Sequence, residues 1–354
     1  MELTDKQKYV LYKLMKGVED GKLEQTMGGY AGTGKTTLIK YLVKLVPNFG
    51  TIAYTGKAAN VLRRKDISAK TIHSTIYRPI YEYGILQGWD MVPKSELGYD
   101  GFFIDEASMV SEEIYKDLKT YQLPLVFIGD HGQLEPIGSD FNLMKNPDYT
   151  LEEIHRNAGD IAKFAERLRQ GYNAISFPYC EKVQFVKSKR LATETLLDVD
   201  QVICAYNKTR VALNKQMREG LNFSGLLNVG ERVMCLKNNK NLGLFNGMQG
   251  VVKRLYECEH TGRKLMDFEF NDCLYSGIWY CTKQFGQEKP DNSMYIGKEY
   301  PNPFDYAYAI TCHKAQGDEW GKVLVVEQKC SMWDHTRWAY TAASRAKELV
   351  VWAY

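Results

Sequence analysis

Residues 29–36 read GYAGTGKT, the most informative stretch of the sequence. It matches the pattern G-x-x-x-x-G-K-[ST], in which glycines let backbone N–H groups approach a polyphosphate closely. Residues 23–27 before it predict a short strand, and residues 37–46 after it predict an amphipathic helix. The N-terminus of that helix would then face the phosphates. A strand, a glycine-rich loop and a helix in this order indicate a P-loop rather than a turn without a ligand.

Each residue type in this loop suits a triphosphate. We expect Lys35 to reach the β and γ phosphates and the Thr36 hydroxyl to ligate Mg²⁺. The residues of the loop expected to bind the nucleotide are Gly29, Ala31, Gly32, Thr33, Gly34, Lys35, Thr36 and Thr37. A nucleoside triphosphate with Mg²⁺ is therefore the predicted ligand.

Composition indicates an ordinary globular protein of 354 residues, long enough for two domains. A formal net charge of +3 does not imply a nucleic-acid partner by itself and allows only a local basic groove.

The eight cysteines contain no C-x-x-C pair, so we expect free thiols and no zinc site. The N-terminus has no apolar signal core, and no run approaches the roughly 20 apolar residues of a membrane helix. An intracellular protein is expected, in the cytoplasm of a cell or of a virus's host, with no membrane partner.

Continuous apolar runs bounded by turn signals predict the buried strands of a parallel α/β fold. These runs lie at residues 52–54, 101–104, 125–128, 201–204, 323–326 and 349–352. They form an early and a late group with helical stretches between them, which predicts two P-loop-type lobes. Residues 77–98 instead predict a β-hairpin that projects from the first lobe, and residues 229–300 predict a small β-barrel inserted in the second.

Polar residues at two further strand ends suit phosphate chemistry. Asp105 and Glu106 follow an apolar strand, so we expect Asp105 to hold Mg²⁺ and Glu106 to polarise the attacking water. Gln133 follows another strand, and its residue type fits a sensor of the γ phosphate and a turn glutamine equally well. Arg156 and Arg345 can each neutralise the charge that develops on the γ oxygens, although an isolated arginine is normally a surface residue.

An ordered set of motifs over nearly the whole chain resembles superfamily 1 helicases of the RecD/Dda type. After the P-loop come YTGKAA (54–59), TIHS (71–74), DEASM (105–109), GDHGQL (129–134), IHRN (154–157), TCHKAQG (311–317) and YTAASRAK (340–347). The TCHKAQG segment discriminates best, because P-loop kinases and clamp loaders do not carry it. The resemblance implies two RecA-like lobes with ATP between them and single-stranded DNA across their tops.

The resemblance also assigns roles to single residues. It implies that Gln7 would read the adenine and that Gly317 and Glu319 would lie by the phosphates and ribose. It supports the ATPase roles given above for Lys35, Thr36, Asp105, Glu106, Gln133, Arg156 and Arg345. The positions implied to face DNA are Thr55, Lys57, His73, Thr311 and His313, whose hydroxyl, ammonium and imidazole groups suit phosphate oxygens. Without the resemblance, the two histidines would be read as packed residues and Gln7 as a surface residue.

The resemblance implies four domain segments, whose bounds agree with the strand groups, the hairpin and the β-rich segment described above. Residues 1–76 and 99–148 would form lobe 1A, and residues 77–98 a hairpin (1B) similar to the pin that splits a duplex. Residues 149–228 and 301–354 would form lobe 2A, and residues 229–300 an SH3-like insertion (2B).

The implied activity is ATP-driven 5′-to-3′ movement on single-stranded DNA with unwinding of duplex, and the polarity rests on the resemblance alone. Expected partners are single-stranded DNA, forked duplex DNA, and replication or recombination proteins, with the chain acting as a monomer. Two alternatives stay open: a DNA-stimulated motor subunit or remodeller that unwinds little alone, and a P-loop kinase unrelated to DNA. RNA as the strand also stays open, because backbone contacts discriminate poorly without a reader of the 2′-OH.

Overall fold

The computed structural model describes most of the chain. The described residues are 3–82, 85–135, 141–153, 159–239, 242–244, 246–270, 273–289, 300–329 and 333–354. The chain separates into two compact units, Met1–Arg169 and Gln170–Tyr354. Each unit has a parallel sheet of its own, so the expected mixed α/β fold with parallel-sheet cores is confirmed.

A six-stranded parallel sheet forms the core of the first unit, in the order β3-β2-β6-β7-β1-β8. The strands of this unit are β1 (Glu24–Gly29), β2 (Phe49–Ala53), β3 (Ala69–Thr71), β4 (Tyr77–Glu82), β5 (Ile85–Met91), β6 (Gly101–Asp105), β7 (Leu125–Gly129) and β8 (Tyr149–Leu151). Its helices are α1 (Asp5–Glu19), α2 (Lys35–Leu45), α3 (Gly56–Arg63), α4 (Ile72–Ile76), α5 (Lys94–Leu97), α6 (Glu112–Thr120) and α7 (Gly159–Arg169).

This sheet is covered by helices on both faces. Neighbouring residues of a strand point to opposite faces, and Phe102 and Phe103 accordingly belong to different hydrophobic clusters. One face packs on α1 and α2 through Leu14 and Leu38, and the other packs on α6 through Ile114. A strand buried on both faces needs no polar side, which is why the apolar runs of the sequence are continuous.

The first unit extends further along the chain than the sequence indicates. Residues 149–169 were expected in the second lobe, but β8 pairs in parallel with β1, with Met27 opposite Tyr149 and Gly29 opposite Leu151. The following helix α7 lies in the same unit. The boundary therefore falls after Arg169, because the short strand β8 extends the edge of the first sheet.

The segment at residues 77–98 contains an antiparallel pair of strands, β4 and β5. Its base is fixed by the Tyr121 hydroxyl, which donates to the carbonyls of Ile76 (3.2 Å) and Val92 (2.8 Å). Tyr121 lies directly after α6, so this helix holds both ends of the pair against the sheet.

Two sheets form the second unit. The parallel sheet has the order β16-β10-β17-β18-β9, and the antiparallel sheet has the order β14-β13-β12-β11-β15. The strands are β9 (Val183–Val186), β10 (Gln201–Cys204), β11 (Arg232–Cys235), β12 (Gln249–Glu257), β13 (Lys264–Phe270), β14 (Cys273–Trp279), β15 (Phe304–Tyr306), β16 (Ala309–Thr311), β17 (Trp320–Val326) and β18 (Ala346–Ala353). The helices are α8 (Thr193–Leu197), α9 (Asn207–Gly220), α10 (Cys312–Ala315) and α11 (His335–Ala343).

The two sheets of the second unit share one core. Val202 and Leu324 of the parallel sheet lie in the same buried cluster as Val233 and Phe268 of the antiparallel sheet. The antiparallel sheet therefore packs directly on the parallel one rather than standing apart as an independent module.

Buried ion pairs fix the antiparallel sheet to α9. Arg210 of α9 forms an ion pair with Asp305 of β15 and donates to the carbonyl of Gln287 (2.6 Å). The other carboxylate oxygen of Asp305 accepts the backbone N–H groups of Gly286 and Tyr306, each at 2.8 Å. Since both charged groups make further hydrogen bonds besides the ion pair, the pair is tolerated in the interior.

The described cysteines are free thiols, as expected. Four of the seven are buried, namely Cys204, Cys235, Cys281 and Cys312. Burial raises the pKa of the Cys204 thiol to about 12, so this residue behaves as a packed apolar group. Among the described residues, no helix combines the length and the apolarity needed to cross a bilayer.

Arg210→Met should lower the free energy of unfolding of the second unit by about 3–5 kcal/mol, because it leaves the carboxylate of Asp305 buried without its counter-charge. Urea unfolding followed by tryptophan fluorescence measures this. The matched control is Lys215→Met on the same helix, since Lys215 pairs with Glu219 in solvent at 3.9 Å. The control should change the unfolding free energy by less than about 0.5 kcal/mol. Equal effects of the two changes would show that the buried pair is not what fixes α9.

Candidate functional site

The loop between β1 and α2 holds a lysine ammonium above a helix N-terminus. Gly32 and Gly34 have φ angles of +79° and +85°, which a residue with a side chain rarely adopts, and Gly34 leads directly into α2. Lys35 Nζ donates to the carbonyls of Gly29 (2.6 Å) and Tyr30 (3.0 Å). A cation and the free N–H groups of a first helical turn, held together in this way, form an anion-binding site.

The loop has no room for larger residues at its start. A Cβ added to Gly29 would lie 2.8 Å from Thr33 Oγ1 and 3.0 Å from Lys35 Cγ. Thr33 itself is buried, and its hydroxyl donates to the carbonyl of Tyr30 at 2.8 Å. The remaining loop residues expected to bind nucleotide lie in the same turn or in the first turn of α2, and they are Ala31, Thr36 and Thr37.

A buried aspartate links this lysine to Gln133. Asp130 follows β7, and its Oδ2 lies 3.8 Å from Lys35 Nζ and accepts Gln133 Nε2 at 3.1 Å. Its Oδ1 accepts the backbone N–H of Gly132 at 2.9 Å. Because β7 and β1 are adjacent parallel strands, their carboxyl ends meet here. Asp130 is not among the site residues predicted from the sequence, although a carboxylate directly after an apolar strand was the available signal.

Asp105 ends β6, the strand next to β7. Burial raises the pKa of this carboxyl, while the nearby Lys35 ammonium lowers it. The two groups are thus close enough to interact electrostatically. A carboxylate at this edge and the Thr36 hydroxyl of α2 are hard oxygen donors, the type that Mg²⁺ binds together with phosphate oxygens and water. The donor set therefore fits Mg²⁺.

Glu106 has a strained backbone. Its φ angle is +55°, in the left-handed region, and it is followed by a 3₁₀ turn at Ala107–Met109. The carbonyl of Glu106 accepts the N–H of Met109 at 3.0 Å. Left-handed backbone at a residue other than glycine, asparagine or aspartate is uncommon and clusters at functional sites.

Gln7 lies against the P-loop. It is buried in the first turn of α1, where its Nε2 donates to the carbonyl of Thr33 at 2.9 Å. Its Oε1 accepts the N–H of Thr4 at 3.0 Å, and the Thr4 hydroxyl caps the helix in return. The side chain therefore fixes the start of α1 to the loop, and its expected role in reading adenine stays a prediction.

Two of the residues expected to face DNA lie at neighbouring strand ends of the first sheet. Thr55 follows β2 and caps α3, accepting the N–H of Ala58 at 3.0 Å. His73 follows β3, and its ring centroid lies 6.5 Å from that of Tyr54 and 5.6 Å from that of Tyr77. The hydroxyl and imidazole thus share one edge of the sheet. Lys57 lies in the first turn of α3, and its side chain is outside the described part of the structure.

The other two lie together in the second unit. Thr311 ends β16, and His313 follows in α10, where its ring lies 5.7 Å from that of Trp333 in an edge-on contact. Burial lowers the pKa of His313. Lys314 Nζ donates to Asn246 Oδ1 at 2.7 Å, which joins this segment to the turn before β12. These contacts of Trp333, Lys314 and Asn246 are not predictable from the sequence, because the side chains that they touch are distant along the chain.

The turn between α10 and β17 contains the next two expected residues. Gly317 has a φ angle of +79°, which lets the chain leave α10 sharply. Glu319 is exposed and forms an ion pair with Lys347 at 3.1 Å. Both therefore lie beside the segment that carries Arg345, which directly precedes β18.

Arg345 is a buried cation held by neutral groups. Its guanidinium donates to the carbonyl of Thr341 (3.0 Å), the carbonyl of Asp318 (3.2 Å) and the Ser344 hydroxyl (2.8 Å). Among the residues that the structure describes, it has no carboxylate partner. A buried guanidinium is normally paired with an anion. Arg156, the other expected arginine, lies outside the described residues.

Comparison with known proteins gives two family matches. The family described as AAA domain matches residues 2–190, and the UvrD-like helicase C-terminal domain matches residues 306–352. The chain is 26% identical over 353 residues to the ATP-dependent RecD2 DNA helicase of Deinococcus radiodurans, covering 90% of this chain and 45% of that protein. It is 31% identical over 191 residues to the ATP-dependent DNA helicase dda of Enterobacteria phage T4, covering 48% of this chain and 43% of that protein. The chain thus spans less than half the length of these curated relatives.

A solved structure matches nearly the whole fold. The Pif1 helicase from Bacteroides, in complex with ADP-AlF3 and single-stranded DNA, has a TM-score of 0.62 at 22% identity. The match covers 99% of this chain and 92% of that one. The parallel-sheet cores of the two units are thus of the RecA-like kind found in that structure.

His131 and His313 should titrate below the ordinary histidine value of about 6.5. Burial lowers the pKa of both rings. The unfolded chain therefore binds more protons than the folded one as pH falls through about 6.5, and these rings destabilise the fold progressively below that pH. NMR titration, with His131→Gln and His313→Gln used for assignment, measures each pKa. A ring that titrates at or above the value of free histidine would contradict its burial.

Proposed function

Since the chain belongs to the AAA domain family and is similar to superfamily 1 helicases of the RecD/Dda type, we propose that it is an ATP-dependent DNA helicase that moves 5′ to 3′ on single-stranded DNA. The observation that carries the proposal is the cluster at the carboxyl edge of the first sheet. There Lys35 contacts Asp130, Asp130 holds Gln133, and Asp105 ends the next strand. A triphosphate site so connected to Gln133 is what an ATP-driven motor requires.

In this proposal the first unit binds ATP. The phosphates lie along the loop, and Lys35 exchanges its contacts with the Gly29 and Tyr30 carbonyls for the β and γ phosphate oxygens. Mg²⁺, held by Thr36 and Asp105, would supply positive charge to the phosphates. Glu106 orients and polarises the attacking water. The remaining loop contacts come from Gly29, Ala31, Gly32, Thr33, Gly34 and Thr37.

We assign the other nucleotide contacts by the same proposal. Arg345 neutralises the charge that develops on the γ phosphate, and its lack of a carboxylate partner among the described residues supports this role. Arg156 has the same role by resemblance. Gln7 reads the adenine edge, and Gly317 and Glu319 contact the phosphates and ribose.

The strand is held mainly through its backbone. Thr55 and His73 at one strand-end edge, together with Lys57, contact phosphates from the first unit, and Thr311 and His313 do so from the second. Such contacts carry little sequence information and weaken steeply with salt. The antiparallel pair β4 and β5 acts as the pin that separates the duplex, and the sheet from β11 to β15 is the SH3-like insertion.

Movement follows from a difference in nucleotide affinity between two conformations. ATP favours the state in which Arg345 meets the γ phosphate, and hydrolysis removes that bridging charge. Each cycle then shifts the grip of one unit along the strand. The energy available for the shift is limited to the difference between the two affinities, as for any ligand-driven change.

Arg345→Gln should keep ATP affinity within about threefold and lower the rate of hydrolysis by at least 10³-fold, the effect of removing an arginine finger. Nucleotide affinity is measured by fluorescence titration, and turnover by phosphate release with saturating oligo(dT). The matched control is Lys322→Ala, which removes an exposed cation of the same unit and should leave both values unchanged. Loss of ATP binding in Arg345→Gln would indicate a structural role instead.

The function itself is tested with forked duplexes that carry either a 5′ or a 3′ single-stranded tail. With ATP and Mg²⁺ the chain should separate the 5′-tailed fork and leave the 3′-tailed one intact. Lys35→Ala should separate neither while still binding single-stranded DNA, because the lysine serves phosphates and not the strand.

Other results of this assay identify the alternatives. DNA-stimulated ATP hydrolysis without strand separation would identify a motor subunit or remodeller. The small size of the proposed pin, a single pair of strands, favours this alternative. ATP hydrolysis unaffected by DNA would contradict both the helicase and the motor-subunit hypotheses and indicate a P-loop enzyme of another kind. The same assay with an RNA tail decides between the two strand types.

A further inference from the structure

Tyr30 occupies a position of the P-loop that phosphate chemistry does not specify. It is one of the variable residues of G-x-x-x-x-G-K-[ST], yet its side chain is only 7% exposed. Its ring centroid lies 4.1 Å from the ring of His131 and 4.1 Å from the guanidinium carbon of Arg169. The ring is thus in close contact with both the residue after Asp130 and the last residue of α7.

The backbone of Tyr30 is equally engaged. Its carbonyl accepts Lys35 Nζ at 3.0 Å and the Thr33 hydroxyl at 2.8 Å, and its N–H donates to the carbonyl of Leu151 at 3.2 Å. A shift of the Tyr30 backbone therefore moves both the ring and the carbonyl that helps to hold Lys35. Conversely, any exchange of Lys35 from this carbonyl to phosphate oxygens acts on the residue that carries the ring.

His131 is a firm support on one side of the ring. It packs so closely over β1 that a Cβ added to Gly28 would lie 2.7 Å from its Nδ1. Burial lowers its pKa, so the ring is neutral in the fold at neutral pH. A fixed, neutral ring does not repel the cation that lies on the Tyr30 ring.

Arg169 lies on the other side of the Tyr30 ring, and its guanidinium is oriented by a neighbouring carboxylate. Glu166, one turn earlier on α7, accepts its Nε at 2.9 Å and its Nη2 at 2.5 Å, which sets the plane of the guanidinium. A planar guanidinium attracts an aromatic face, and partial burial strengthens that attraction. Arg169 is also the last residue of the first unit, so the chain passes from this contact directly into the second unit.

We propose that Tyr30 and Arg169 are positioning residues that couple the conformation of the P-loop to the end of α7, and so set how strongly nucleotide and DNA affect each other's binding. Nucleotide binding shifts the Tyr30 carbonyl, the ring transmits the shift to Arg169, and the segment that begins at Gln170 moves with it. The proposal rests on the proposed function, since it needs a chain that binds both ligands. It assigns no chemistry to either residue.

The test measures the coupling factor, which is the ratio of the dissociation constants of a non-hydrolysable ATP analogue without and with oligo(dT). By linkage the same factor governs the effect of the nucleotide on DNA affinity. We expect a coupling factor of about 5 or more for the unchanged chain, in the usual range for coupled sites. Tyr30→Leu and Arg169→Met should each bring it close to 1, and the double variant should go no further, because both changes break one contact.

Conservative variants and a control separate positioning from general damage. Tyr30→Phe keeps the ring and should keep the coupling factor, while Arg169→Lys keeps the charge but loses the plane and should retain part of it. Lys163→Met on α7 removes an exposed cation paired with Asp160 and should change nothing. Thermal unfolding of every variant checks that the first unit remains folded.

Three results would overturn the inference. One is a coupling factor kept in Tyr30→Leu and Arg169→Met while nucleotide affinity falls, which indicates a purely structural role. Another is additive loss in the double variant, which indicates two independent effects. The third is loss in Tyr30→Phe equal to that in Tyr30→Leu, which indicates that the hydroxyl and not the ring contact matters. Absence of any coupling in the unchanged chain would instead contradict the proposed function.

Discussion

The ammonium of Lys35 lies between two kinds of oxygen, and the arrangement of the first unit depends on that position. On one side are the carbonyls of Gly29 and Tyr30, and on the other is the carboxylate of Asp130. A loop can hold a cation so close to its own backbone only when glycines remove the side chains in between. An adjacent strand must also supply the carboxylate. The order β6-β7-β1 meets the second condition, because parallel strands deliver their carboxyl ends to one edge.

Much of this fold and site is predictable from the sequence, and the features that were not predicted share identifiable physical causes. The apolar runs mark the long parallel strands correctly, since burial on both faces leaves a plain signal. The short strand β8 leaves none, and the boundary after Arg169 was therefore missed. Asp130 follows a strand in the same way as Asp105, but no motif rule distinguishes a carboxylate that binds Gln133 from one that faces solvent. The Tyr30–Arg169 contact joins residues far apart in the chain, which no local pattern shows.

In the second unit, an antiparallel sheet packs on a parallel one, and ion pairs fix how the two are placed. Apolar packing alone tolerates small slips of one sheet over the other. The charges of Arg210 and Asp305, and likewise those of Arg218 and Glu231, are satisfied in one arrangement only. Buried pairs of this kind add little net stability but fix a register, an interpretation that we apply here to α9. The hydrogen bond from Lys314 to Asn246 then connects the segment that contains His313 to the antiparallel sheet, whose position these ion pairs fix.

The left-handed backbone at Glu106 has a consequence for how this chain can be altered. A conformation of that kind costs about 1–3 kcal/mol at a residue with a long side chain, and glycine or asparagine would relieve part of it. The most stabilising substitutions at this position are therefore those that delete its carboxylate. Any search that ranks variants by thermal resistance alone would select them first, and would return a more stable protein without the carboxylate that we propose to polarise the attacking water. The proposed role of Glu106 therefore opposes stability to activity at this one residue, and engineering of this chain should leave it unchanged.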